Sequence, residues 1–75
     1  MLQDERMEEL SLEGQDHIKL CDLLSVVGLC PNAGVAKNII ATGVVKVDGE
    51  VELRKRAKIL KNQVVEYQGK KIKVV

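Results

Sequence analysis

At Gly43 the chain changes its period. Upstream, apolar residues recur three and four positions apart, first as Leu20, Leu23, Leu24 and Val27, then as Ala36, Ile39 and Ile40. Downstream, from Val44, the period is two: Val45 and Val47 alternate with Val44, Lys46 and Asp48. A stripe at helical spacing lies on one face only in a helix, and an alternating run lies on one face only in a strand. The chain must therefore place helices first and a sheet second. This order predicts an α+β fold, with two short helices packed on a small, mainly antiparallel sheet.

Local signals bound the elements. A first helix is expected from about Ile18 to Val27, with Asp16 capping it by accepting a backbone N–H and Gly28 supplying a left-handed stop. A second follows at once. Pro31 fits its first turn, Asn32 is an alternative cap, and Gly43 ends it, leaving Lys37, Asn38 and Ala41 outward. Asp48-Gly49 is a strong two-residue hairpin signal, with Val51 and Leu53 on the return strand. Residues 64–67 read as another strand, Gln68-Gly69 as a weaker turn, and residues 71–75 as a strand in which lysines alternate with Ile72 and Val74. Residues 1–9 are polar and aperiodic, a frayed or weakly helical tail, while Leu10 and Leu12 alternate with Ser11 and Glu13 as a short strand does. The organisation expected is an acidic leader over 1–13, with a short strand at its end, and one domain over 14–75.

A chain of 75 residues buries only about 60% of the surface its unfolded form exposes. That leaves little stability for a deep catalytic cleft. With Tyr67 as its one aromatic residue, the chain also lacks the platforms on which modules for single-stranded nucleic acid stack bases.

The net charge of +1 conceals an asymmetry. Residues 1–18 hold six acids (Asp4, Glu5, Glu8, Glu9, Glu13, Asp16) against Arg6, a balance of −5. Residues 19–75 hold eleven Lys or Arg against five acids, a balance of +6. A basic domain carries an acidic leader. Its densest segment is Leu53 to Lys61, where Arg54, Lys55, Arg56, Lys58 and Lys61 are basic and none is acidic. If extended, it projects Arg54, Arg56 and Lys58 to one side at roughly 6.6 Å intervals, near the spacing of successive phosphates. The plainer reading is a solvated edge that discourages strand-to-strand aggregation. The start of the second helix adds Asn32, Ala33 and Gly34, small residues that admit an anion to backbone N–H groups, with Lys37 a turn further on.

Chemistry of other kinds finds little support. Cys21 and Cys30, with His17 the one histidine, are too few for a structural zinc site and do not form a C-x-x-C pair, so they read as reduced, partly buried small hydrophobes. His17 and Cys21 stand four apart, but no third group is evident to orient them, so no catalytic residue is assigned. No metal, cofactor or small-molecule substrate is expected. No signal peptide and no apolar run of about 20 residues is evident, which makes the cytoplasm the expected compartment and a membrane an unexpected partner.

The second helix ending Ile39-Ile40-Ala41-Thr42-Gly43, followed by Val44-Val45-Lys46-Val47-Asp48-Gly49-Glu50, resembles the alpha-L RNA-binding domain. That module was first known from the ribosomal small-subunit protein S-four. It also occurs in pseudouridine synthases, some tyrosyl-tRNA synthetases and a heat-shock protein acting on stalled large ribosomal subunits. The resemblance runs from about Lys19 to Tyr67. The string D-G-E-V-E-L-R-K-R-A-K-I from Asp48 to Ile59 is similar to the signature of small stand-alone bacterial members.

The resemblance implies a non-catalytic protein that grips structured RNA, ribosomal RNA and ribosomal particles among the expected partners, by its backbone shape. On it, Lys19 matches a basic position opening the first helix, Asn32 and Lys37 match polar and basic positions of the second, Asp48 and Gly49 match the hairpin turn, and Lys58 matches a basic residue after it. Two positions depart from the pattern: Ala33 stands where many members have Arg, and Pro31 where Ser or Thr is common. Arg54, Lys55 and Arg56 are the residues available to compensate. With Gly34 and Asn38 from the exposed side of the second helix, these make up the expected RNA-binding set. The rival reading is a protein-protein adaptor whose basic face meets an acidic partner.

Overall fold

The computed structural model describes residues 7–75. Along them run β1 (Glu8–Leu10), β2 (Ile18–Lys19), α1 (Leu20–Val26), α2 (Ala33–Ala41), β3 (Lys46–Val47), β4 (Glu50–Val51), β5 (Lys58–Ile59), β6 (Val64–Tyr67) and β7 (Lys70–Val74). Five strands form one sheet in the order β1-β7-β6-β3-β4, and β2 pairs with β5 in a separate ribbon. Every pairing is antiparallel except that of β1 with β7. The α+β architecture, two helices packed on a mainly antiparallel sheet, is the one the change of period predicts.

One core joins the layers. α1 contributes Leu20, Cys21, Leu23 and Leu24, α2 contributes Ala36 and Ile40, and the sheet contributes Val45, Val65, Ile72 and Val74 from its inner side. Among the described residues no polar or charged one is fully buried. On the outer side, one cross-strand row reads Lys46, Glu66, Lys71, where alternating charge across strands is favourable.

Both hairpins use two-residue turns with both central residues left-handed. Asp48 and Gly49 have φ of 53° and 87°, and Gln68 and Gly69 have 54° and 77°. This geometry matches the twist of the flanking strands. Gly28 (φ 83°) stops α1 as expected.

The start of α1 differs from expectation. The helix begins at Leu20, not Ile18, and Asp16 does not cap it; Lys19 holds the cap position without a side-chain bond. Ile18 and Lys19 are instead committed to pairing with Ile59 and Lys58. The exposed helix-start donors are met by main chain from far along the sequence. Leu20 N–H donates to the Ala57 carbonyl (2.9 Å) and Cys21 N–H to the Lys55 carbonyl (3.2 Å). No local signal reveals such partners.

α2 starts as one of the two readings has it. Asn32 is its cap, accepting from Val35 N–H at 2.9 Å, and Pro31 lies outside the helix.

The first strand is Glu8–Leu10, slightly earlier than Leu10 and Leu12 suggest, because its register is set by β7: Glu8 faces Ile72 and Leu10 faces Val74. Glu8 and Glu9 are therefore strand and not tail; the expectation for residues 1–6 lies outside the described residues. The return strand β4 is also shorter than expected. Leu53 lies beyond it, although Glu52 N–H still reaches the Val45 carbonyl at 3.0 Å.

Candidate nucleic-acid interface

The ribbon of β2 and β5 carries two of the expected cations. Its antiparallel register sets Lys19 directly opposite Lys58, and both are exposed. Directly opposed residues have Cβ atoms about 4.5–5.5 Å apart, and like charges so placed repel. Main-chain pairing and the burial of Ile59 beside Lys58 hold the two together. Two ammonium groups on one side of a ribbon suit an anion lying between them.

The segment before β5 is not extended, which corrects the expected row of Arg54, Arg56 and Lys58 at phosphate spacing. Ala57 N–H closes a turn onto the Arg54 carbonyl at 3.2 Å. The chain bends because Ala57 is buried and because the carbonyls of Lys55 and Ala57 face the start of α1. Lys55 and Arg56 stand exposed at this bend, joined through Ala57 to Lys58.

Arg54 is engaged. Its Nε donates to Glu52 Oε2 at 2.9 Å, its Nη2 to Oε1 at 3.0 Å, and its backbone N–H to Oε2 at 3.0 Å. These bonds hold the Glu52 carboxyl below the usual carboxylate range and the Arg54 guanidinium above its ordinary value. Any phosphate approaching Arg54 competes with a fork already formed. Glu52 is a residue that the sequence reading missed; the available signal was an acid two positions before the arginine.

The expected residues of α2 form a second group. Asn32 spends its side-chain oxygen on its own helix. A Cβ at Gly34 would stand 3.2 Å from Asn32 Oδ1, so glycine leaves room for the cap. Lys37 is half-buried and Asn38 exposed.

Asp48 and Gly49 lie apart from both groups, at the end of the β3–β4 hairpin away from Arg54. The four steps from Val44 to Asp48 span about 13 Å in extended conformation. Asp48 Oδ1 accepts from Val64 N–H (3.0 Å), its Oδ2 from Gln63 Nε2 (3.1 Å), and its own N–H donates to the Val64 carbonyl (2.8 Å). The carboxylate thus ties the hairpin turn to the start of β6.

Other chemistry has little footing among the described residues. No group of three or more His, Cys, Asp or Glu is placed to hold a metal ion, and no helix is long and apolar enough to cross a membrane. Cys21 and Cys30 are free and buried, and burial pushes the Cys30 thiol up.

Comparison with known proteins gives a consistent picture. A family described as "S4 domain" matches residues 10–75. The YbcJ proteins of Escherichia coli (strain K12) and Shigella flexneri are each 46% identical over 69 residues, which cover 92% of this chain and 99% of theirs. The solution structure of E. coli YbcJ, in which an alpha-L motif involved in RNA-binding was found, superposes with a TM-score of 0.74 at 43% identity, covering 100% of this chain and 96% of that one. With the sequence matched over nearly its whole length and the helices and sheet reproduced, this chain belongs to the S4 domain family and has the alpha-L fold.

Proposed function

We propose that this protein binds structured RNA, without catalysis, on the surface built from Lys19, Lys58 and the Lys55–Arg56 bend, with Asn32, Lys37 and Asn38 of α2 extending it. The observation that carries this reading is the opposition of Lys19 and Lys58. A fold that sets two ammonium groups face to face loses stability, and a bound phosphate offsets that loss. The relative YbcJ, with its alpha-L motif involved in RNA-binding, supports the same reading. The scarcity of aromatic residues favours folded RNA over extended single strands, since phosphate and 2′-OH groups then carry most of the contact. Ribosomal RNA in the cytoplasm is the target class that the S4 family membership favours. The functional unit on this reading is residues 14–75, with the acidic leader of 1–13 lending β1 to its sheet.

Salt titration of RNA affinity tests the proposal. Lys19→Ala and Lys58→Ala should each weaken binding of a folded RNA and reduce the salt slope by about one. A double variant that binds with unchanged affinity and slope would remove the surface. Indifference to every folded RNA, together with capture of an acidic protein, would establish the adaptor reading in its place.

A further inference from the structure

The outer side of the β3–β4 hairpin is apolar where a sheet facing water should not be. Its register pairs Lys46 with Val51, and the bond from Glu52 N–H to the Val45 carbonyl carries the pairing one step on. Alternation then sets Val44 and Leu53 on the same side as Lys46 and Val51, opposite the buried Val45. Val44, Val51 and Leu53 are 51%, 52% and 57% exposed. They form one patch, because both Leu53 and Val51 lean over Gly43: a Cβ there would meet Leu53 Cδ2 at 3.7 Å and Val51 Cγ1 at 4.0 Å. Glycine leaves that floor low. β4 is also an edge of the sheet, so no strand among the described residues covers its far side.

Charge decides what covers the patch. Lys46 lies within it, and beyond Leu53 the chain passes through Arg54, which Glu52 holds, to the exposed Lys55 and Arg56. A second copy docked about a two-fold axis would bring the same patch against itself, and these cations against their own images. An RNA supplies the opposite charge. A perfectly paired A-form stem, however, presents phosphates and 2′-hydroxyls, which gain nothing from aliphatic side chains. An unpaired base exposes an apolar ring face, and covering it with aliphatic side chains takes apolar surface of both out of water.

We infer that the Val44–Val51–Leu53 patch receives an unpaired nucleotide of a folded RNA, while the Lys55–Arg56 bend holds the phosphates flanking it. This rests on the RNA-binding reading above and narrows its target from any folded RNA to a stem interrupted by a bulge or loop. It also gives the chain, poor in aromatics, an aliphatic platform of its own.

Two hairpin RNAs, one perfectly paired and the other identical except for a single inserted bulged nucleotide, distinguish the possibilities by fluorescence anisotropy. The wild-type protein should bind the bulged RNA about five-fold tighter, the gain expected from covering part of one aliphatic side chain. Leu53→Ser and Val51→Thr, both at half-exposed positions, should abolish that preference while leaving affinity for the paired hairpin unchanged. Equal affinity of the wild type for both RNAs, or a preference that survives Leu53→Ser, would overturn the inference and leave the RNA-binding reading intact. Binding to neither RNA would overturn both. A concentration-dependent dimer that Leu53→Ser dissolves would overturn it in favour of a second copy.

Discussion

Two acidic residues show how the same charge serves different ends. Asp48 sits in left-handed backbone (φ 53°), which Asp and Asn tolerate better than other side chains. Its carboxylate meets two donors of the next segment. Asp48→Ala should cost about 1 kcal/mol in urea unfolding, with Asp48→Asn costing less. A fall in RNA affinity without that loss would mean that Asp48 contacts RNA and does not merely brace the turn. Glu52 holds Arg54 instead. Its carboxyl titrates below the usual range in the folded protein. The stabilisation is therefore fully present above the unfolded value of about 4.3 and disappears as pH falls through the lower folded value. Thermal unfolding followed from neutral to acid pH should show this loss in the wild type and a flatter profile in Glu52→Gln. Identical profiles would mean that the fork does not form in solution. Both pairs join residues whose proximity has different origins: Glu52 and Arg54 are sequence neighbours, whereas Asp48 and Val64 meet only through the sheet.

At the scale of elements, the ribbon of β2 and β5 carries the sharpest conflict between stability and function. Lys58→Glu would replace a like-charged pair by an opposite-charged one. It should raise stability by about 0.5 kcal/mol and at the same time weaken RNA binding. Urea unfolding and anisotropy on the same preparation check the two signs, and a variant that lost both would show that Lys58 serves the fold. The ribbon was not legible in the sequence. Ile18 and Lys19 directly precede the helical stripe of Leu20, Leu23 and Leu24 with no break between, so local pattern assigns them to α1; only their partners some forty positions later make them strand. The basic run was legible as charge but not as shape. Whether Arg54 to Lys58 extends or bends depends on burial of Ala57 and on the carbonyls that α1 requires. By contrast, the turns at Gly28, Gly43, Asp48-Gly49 and Gln68-Gly69 could be read directly, because a left-handed residue is a local requirement.

For the whole molecule, the parallel strand β1 closes one edge of the sheet and β4 the other. β1 connects to the rest through bonds that include Val75 N–H to the Leu10 carbonyl (2.9 Å) and Leu12 N–H to the Val75 carbonyl (3.0 Å), and Leu10 and Leu12 pack against the core. A chain beginning at Glu13 should unfold at lower urea than one beginning at Met7, since it loses those bonds and bares the edge of β7. Equal midpoints would show that β1 adds nothing.

The sequence by itself determined the two helices, the strands after Gly43, the turns, an aliphatic core and a charge that is acidic at the start and basic thereafter, because each depends on residues within a few positions of one another. Tertiary structure alone decided that Lys19 faces Lys58, that Arg54 is occupied, that Asp48 braces a hairpin and that Val44, Val51 and Leu53 share an uncovered face. Those outcomes depend on strand register and on which backbone groups remain to be satisfied, and both are settled only when distant segments pack together.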